Sequence, residues 1–130
     1  MTGSPCRIVL HSLPDGREHL DLFIRQNEGE GLITYEISGP SMKIFFEMLG
    51  QTEEKIVLHS VMASKSGPLL GISSIQAVRK SEHRPLYWTH EGEISRNRGS
   101  IREIIRAELS GEIRAERIYL QILGCGGTAV

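Results

Sequence analysis

Glu18-His19-Leu20-Asp21-Leu22-Phe23-Ile24 is the stretch on which the reading of this chain turns. Its large and branched apolar residues favour a β-strand. Side chains two apart on a strand point the same way. His19 and Asp21 therefore share one face, and Leu20, Leu22 and Ile24 share the other. An imidazole and a carboxylate on one rigid face make a half-site for a divalent metal. Upstream, Arg7-Ile8-Val9-Leu10-His11 reads as a strand that ends in a histidine. Ser12 to Arg17, with Pro14-Asp15-Gly16, reads as the turn between them. If the two strands pair as a hairpin, His11 can return beside His19, and two imidazoles and a carboxylate converge. The sequence permits that register without fixing it. The plain alternative is a polar pair in an ordinary sheet.

Downstream, Gln26 to Gly31 is a polar loop and Leu32 to Ile37 a third strand. The connections are too short for helical crossovers, so the opening is an antiparallel meander. Ser38-Gly39-Pro40 ends it. Ser41 can cap a short helix over Lys43 to Leu49, stopped at Gly50, although a strand also fits there. Lys55 to Met62 is a strand, in which His59 reads as structural. Ser64 to Gly71 is a loop, and Ile72 to Val78 fits a short strand. Ser81 to Ser95 is densest in groups that bind or move protons. Pro85 holds Arg84 extended and so places His83 in a defined loop. Tyr87, Trp88 and Thr89 favour a short strand. His90 and Glu91 suit loop hydrogen bonding. Ile101 to Leu109 fits helix or strand, and Arg117 to Leu123 reads as strand. The two together suggest a closing hairpin.

The length of 130 residues corresponds to one domain, 1–130, with room for a real core. Apolar content of 39% argues against wholesale disorder. Few aromatics argue against broad stacking platforms for single strands. A formal net charge of -1 argues against a non-specific DNA binder that works by counterion release. The basic residues Arg79, Lys80, Arg84, Arg96, Arg98, Arg102 and Arg106 nevertheless gather late in the chain. They form either a solvated face or a small patch that steers a phosphorylated ligand. Met1 to Pro5 reads as a loose leader. Cys6 and Cys125, without a secretory leader, suggest a reducing, cytoplasmic setting. Cys125 lies in a flexible-looking Gly124-Cys125-Gly126-Gly127 tail with no second thiol nearby for zinc. No apolar run is long enough for a membrane span. There is no P-loop, dinucleotide fingerprint, serine elbow or HExxH.

His11, His19-Leu20-Asp21, Gly31-Leu32-Ile33-Thr34-Tyr35, Glu82-His83, Tyr87, Glu91-Gly92 and Arg98-Gly99-Ser100 occur in an order that resembles the 3′-phosphoesterase domain of DNA ligase D. The likeness is greater still to small standalone relatives of that domain. It covers residues 7–38 and 79–105. The resemblance implies a mainly β fold: a compact antiparallel β-barrel with one or two short helices and a polar crevice. It implies an enzyme of DNA repair, dependent on manganese or a related metal, that removes a 3′-terminal ribonucleoside or a 3′-phosphate from DNA or RNA ends. His11, His19 and Asp21 would hold the metal, His83 would contact the scissile phosphate, and Tyr87 would support the site. The chain departs from the family at Phe23, where the full domain has an arginine, and in a shorter match around Asn97-Arg98-Gly99.

Two expectations follow. In the first, the protein is a metal-dependent 3′-phosphoesterase. Its two imidazoles and carboxylate would suit Mn2+ or Zn2+ better than Ca2+. Its partner would be a nucleic-acid 3′ end or other phosphorylated ligand, gripped by Arg84, Arg96 or Arg98, with Arg25 as a substitute for the absent arginine. His83 would stabilise charge or act as a general acid. In the second, Phe23 marks a non-catalytic β-barrel module that binds nucleic-acid ends or a protein partner in repair.

Overall fold

A computed structural model describes residues 3–27, 29–51, 55–63 and 75–124. The expected loop at Ser64 to Gly71, the start of the strand expected from Ile72 and the Cys125 tail lie outside those residues. The chain opens as the meander that its short connections require. It runs through β1 (Ser4–Ser12), β2 (Glu18–Ile24) and β3 (Leu32–Ile37), each antiparallel to the next. The supposed leader joins β1 from Ser4 onward. Helix α1 (Pro40–Gly50) follows, with a proline in its first turn. Its N-cap is Gly39, with no side-chain cap. Ser41 does not cap it, because its hydroxyl accepts the Gln76 amide at 2.9 Å and ties α1 to a later strand.

The remaining strands are β4 (Ile56–Met62), β5 (Ile75–His83), β6 (Gly92–Glu93), β7 (Ser100–Gly111) and β8 (Arg117–Gly124), with a 3-10 helix over Pro85–Trp88. The sheet order is β1-β2-β3-β5-β8-β4-β7-β6, and β1 also pairs with β7. The expected compact antiparallel β-barrel with one or two short helices is therefore corrected to a mixed, mostly β sheet with one long helix. The decisive pairing is β4 with β7, which is parallel. The closing hairpin is corrected for the same reason. β4 lies between β7 and β8 and pairs with both. The strand expected at Tyr87 to Thr89 is instead the 3-10 helix, which Pro85 opens with its fixed φ.

Alternation along β1 and β2 divides the apolar side chains between two faces. Cys6, Ile8, Leu20, Leu22 and Ile24 enter the main core with Tyr35, Phe45, Leu58 and Leu120. Burial pushes the Cys6 thiol up to about 12, so it is an unreactive core side chain. Val9 and Phe23 point the other way, into a smaller cluster with Leu32, Tyr87 and Ile101. Arg7 shares that second face and is 1% exposed. Its Nε donates to Glu103 Oε1 at 2.7 Å, and its Nη1 donates to the Tyr87 carbonyl at 2.8 Å. Arg106 repeats the device beside it, donating to Glu103 and to the Trp88 carbonyl. Two guanidiniums on the sheet thus hold the 3-10 helix, and Tyr87 with it, against β1 and β7.

The Arg7 guanidinium, assisted by Arg106, holds the Glu103 carboxyl below its ordinary value of 4.5. A depressed carboxyl contributes stability that is present above its unfolded pKa and lost as pH falls through the folded one. Glu103→Gln leaves Arg7 buried without its carboxylate. It should cost about 2 kcal/mol in urea unfolding at neutral pH, less than a fully buried pair because Glu103 is partly exposed. The gap between wild type and variant should close as pH is lowered below 4.5. A gap that does not change with pH would mean that the pair is not the source of the stability.

Candidate metal centre and adjoining pocket

Strand register builds the cluster. His11 lies directly opposite His19, and Val9 opposite Asp21. His11 Nδ1 is 3.2 Å from His19 Nε2 and 3.7 Å from Asp21 Oδ2, and His19 Nε2 is 3.3 Å from Asp21 Oδ1. Donor atoms around one tetrahedral ion, with bonds of about 2.0–2.2 Å, sit about 3.3–3.6 Å apart. One donor from each residue can be chosen so that all lie within 4.8 Å of one another. The donor set therefore fits, and a small turn of the Asp21 carboxylate would tighten it. The cluster can coordinate a divalent ion. Its donors do not distinguish Mn2+ from Zn2+.

Outer contacts orient these groups. His11 Nε2 lies 2.9 Å from the Arg98 carbonyl. A carbonyl only accepts, so the neutral ring carries its proton on Nε2 and presents the Nδ1 lone pair to the cluster. Gly99 makes this approach possible. Its φ is +95°, and a Cβ there would run into the Ser12 carbonyl oxygen. Asp21 is nearly buried. The His11 and His19 imidazoles, when protonated, and the nearby Lys80 charge outweigh that burial and hold its carboxyl well below the usual carboxylate range. Lys80 Nζ stands 3.3 Å from Asp21 Oδ1 and 3.1 Å from Glu36 Oε1. Burial opposes its charge, but the two carboxylates prevail and raise its pKa.

A pocket of about 250 Å³ opens beside the cluster, lined by His11, Asp21, Phe23, His83, Tyr87 and Arg98 among others. His83 ends β5 instead of sitting in a loop. Its ring lies 5.2 Å from Phe23 and 5.5 Å from Tyr87. Its Nδ1 is 3.1 Å from the Ser81 carbonyl, which places the neutral ring's proton there and leaves Nε2 as an acceptor. Arg84 and Arg98 line the pocket, whereas Arg96 belongs to a neighbouring cleft near Ser12 and Asn97. Arg25 lies over the Trp88 ring, away from the pocket lining. Glu91 accepts the Glu103 amide, and His90 Nε2 lies 2.8 Å from the Glu93 carbonyl, so both serve the loop. His59 bonds Ser110 in a structural role.

Lys80 and Glu36 were not singled out as site residues by the sequence, nor was Arg7. The one available signal was that Glu36 and Lys80 fall on the face of Asp21, away from the main core, once β3 is placed beside β2. That placement depends on pairings distant in sequence. Among the described residues, no helix is long and apolar enough to cross a membrane.

In the metal-free protein the two pocket histidines should titrate on opposite sides of 6.5. Burial pushes His83 down despite the Asp21 charge. The Asp21 carboxylate pulls His11 up against its partial burial. The His11 contribution to stability is complete below 6.5 and lost as pH rises through the folded value. NMR titration of the ring resonances checks the order. A His83 midpoint above that of His11 would contradict this arrangement.

Compared with protein-family models, curated proteins and solved structures, the chain matches none. These comparisons lend no support to membership of the DNA ligase D family or to the DNA-repair role expected from it.

Proposed function

We propose that the protein is a metal-dependent phosphoesterase that acts on nucleic-acid 3′ ends, removing a 3′-terminal ribonucleoside or a 3′-phosphate. The observation that carries the reading is the convergence of His11, His19 and Asp21 beside a pocket lined by His83, Arg84 and Arg98. The sequence resemblance selects the phosphoester class and favours Mn2+ over Zn2+. A divalent ion on these three residues would supply Lewis-acid polarisation and a more acidic water.

The chain's own residues do the rest. Arg98 is held by Ser95, its Nε donating to that carbonyl at 3.0 Å. This leaves its charge at the pocket for non-bridging phosphate oxygens. Arg84 lies 5.9 Å from the Tyr87 ring centroid and offers a second cation. His83 rests neutral, so it meets the substrate as an acceptor and takes up a proton before it gives one. Phe23 and Tyr87 fix the ring by edge and tilted contacts and keep one side of it dry. Tyr87 is in turn held through the Arg7 bond to its carbonyl.

A second reading, a non-catalytic binding module, is favoured by Phe23, which is buried and brings no charge to the pocket. The two separate on one assay. A 5′-labelled strand ending in a single ribonucleotide or a 3′-phosphate is incubated with protein and Mn2+. The enzyme should shorten or dephosphorylate it, and His19→Ala or Asp21→Ala should fall to background while remaining folded. His83→Ala should lower kcat by about 10²–10⁴-fold and keep Mn2+ binding. No turnover with Mn2+ or Zn2+ in wild type would overturn the enzymatic reading and leave the module.

A further inference from the structure

We propose that Lys80 couples metal binding to phosphate binding, by holding Asp21 and Glu36 when the metal site is empty and turning to a bound phosphate when it is filled. This inference rests on the metal reading above. Lys80 reaches the cluster from β5, where it pairs with Thr34 of β3. Its ammonium and His19 Nε2 approach the same oxygen, Asp21 Oδ1, each at 3.3 Å. An ion held between His19 and Asp21 uses that oxygen's lone pair and repels the ammonium beside it. Lys80 therefore competes with the metal for Asp21.

Displacement does not send Lys80 away. Glu36 Oε1, 3.1 Å from Nζ, remains as a tether on the neighbouring strand. The lysine stem is flexible, and its head has three donors. Asp21, its other partner, lines the pocket, so the ammonium stays beside a group that borders the space an anion on the metal would enter. Phe23 brings no charge to the strand that carries Asp21, and the pocket's cations, Arg84 and Arg98, come from other segments. A released ammonium adds a cation beside the cluster, and its release is driven by the metal.

The prediction is a pair of effects with opposite signs. Calorimetry with MnCl2 alone should show Lys80→Met binding Mn2+ about tenfold tighter than wild type, because the competing charge is gone. The Mn2+-loaded variant should bind inorganic phosphate about tenfold more weakly, read from the 31P relaxation that bound Mn2+ quickens. Lys80→Arg keeps the charge and should retain phosphate binding within about threefold of wild type. Methionine preserves most of the lysine stem's packing, and thermal unfolding checks that the variant is folded. A merely structural lysine would weaken both affinities together, which overturns the proposal. Unchanged Mn2+ or phosphate binding in Lys80→Met also overturns it and leaves the metal reading intact. Failure of wild type to bind Mn2+ overturns both.

Discussion

The antiparallel pairing of β1 with β2 sets His11 opposite His19, and a slip of one residue would turn His19, Asp21 and Phe23 into the main core. The apolar residues of the other phase prevent that slip. Leu20, Leu22 and Ile24 are completely buried, and placing an imidazole and a carboxylate among them would leave polar groups without partners. The cluster is thus held in place by the hydrophobic pattern on the reverse side of its own strands. Function and stability occupy alternate residues of the same seven-residue segment.

The second face of these strands is a balanced electrostatic system in which charges are shared, not paired off singly. Arg7 and Arg106 meet Glu103, and Lys80 meets Asp21 and Glu36. The first group is fastened to the backbone of the 3-10 helix and is structural. The second group is centred on Asp21, whose carboxylate is also one of three donors able to coordinate a divalent ion. That difference separates a clamp from a site. Unpairing Arg7 would strand a cation at 1% exposure, while Lys80 at 32% side-chain exposure can move and still meet water.

What the sequence made legible was local. Alternation in Glu18 to Ile24 assigned both faces of β2, the Pro14-Asp15-Gly16 turn brought β1 back, and Gly31 to Ile37 completed the meander. The order after α1 was not legible, because it rests on pairings between distant strands. β4 enters between β7 and β8 and runs parallel to one of them, which no periodicity in Ile56 to Met62 encodes. Arg7 and Glu103 are 96 residues apart, and Lys80 and Asp21 are 59 apart. Asp21 was legible as a candidate metal ligand and Lys80 as one member of a late basic cluster, but neither these contacts nor the Arg7–Glu103 pair could be read before the strands were placed. Pro85 was read correctly as fixing Arg84, but its preference for the first turn of a helix decided Tyr87 and Trp88, against their strand propensity.

Phe23 ties these features together. On the phase of His19 and Asp21, a charged side chain would sit in the pocket and solvate His83. A phenyl ring there instead closes one side of the imidazole, and burial is the leading cause of His83's lowered pKa. It also packs with Val9, Leu32 and Ile101, giving this face an apolar floor of its own. It brings no charge of its own to the cluster. Lys80 reaches Asp21 from β5 because β3 lies between β2 and β5 and directs Thr34 and Glu36 to the same side. An apolar residue on β2 and a cation two strands away are thus complementary parts of one arrangement. The ring covers one side of His83, and the distant ammonium brings a positive charge to Asp21.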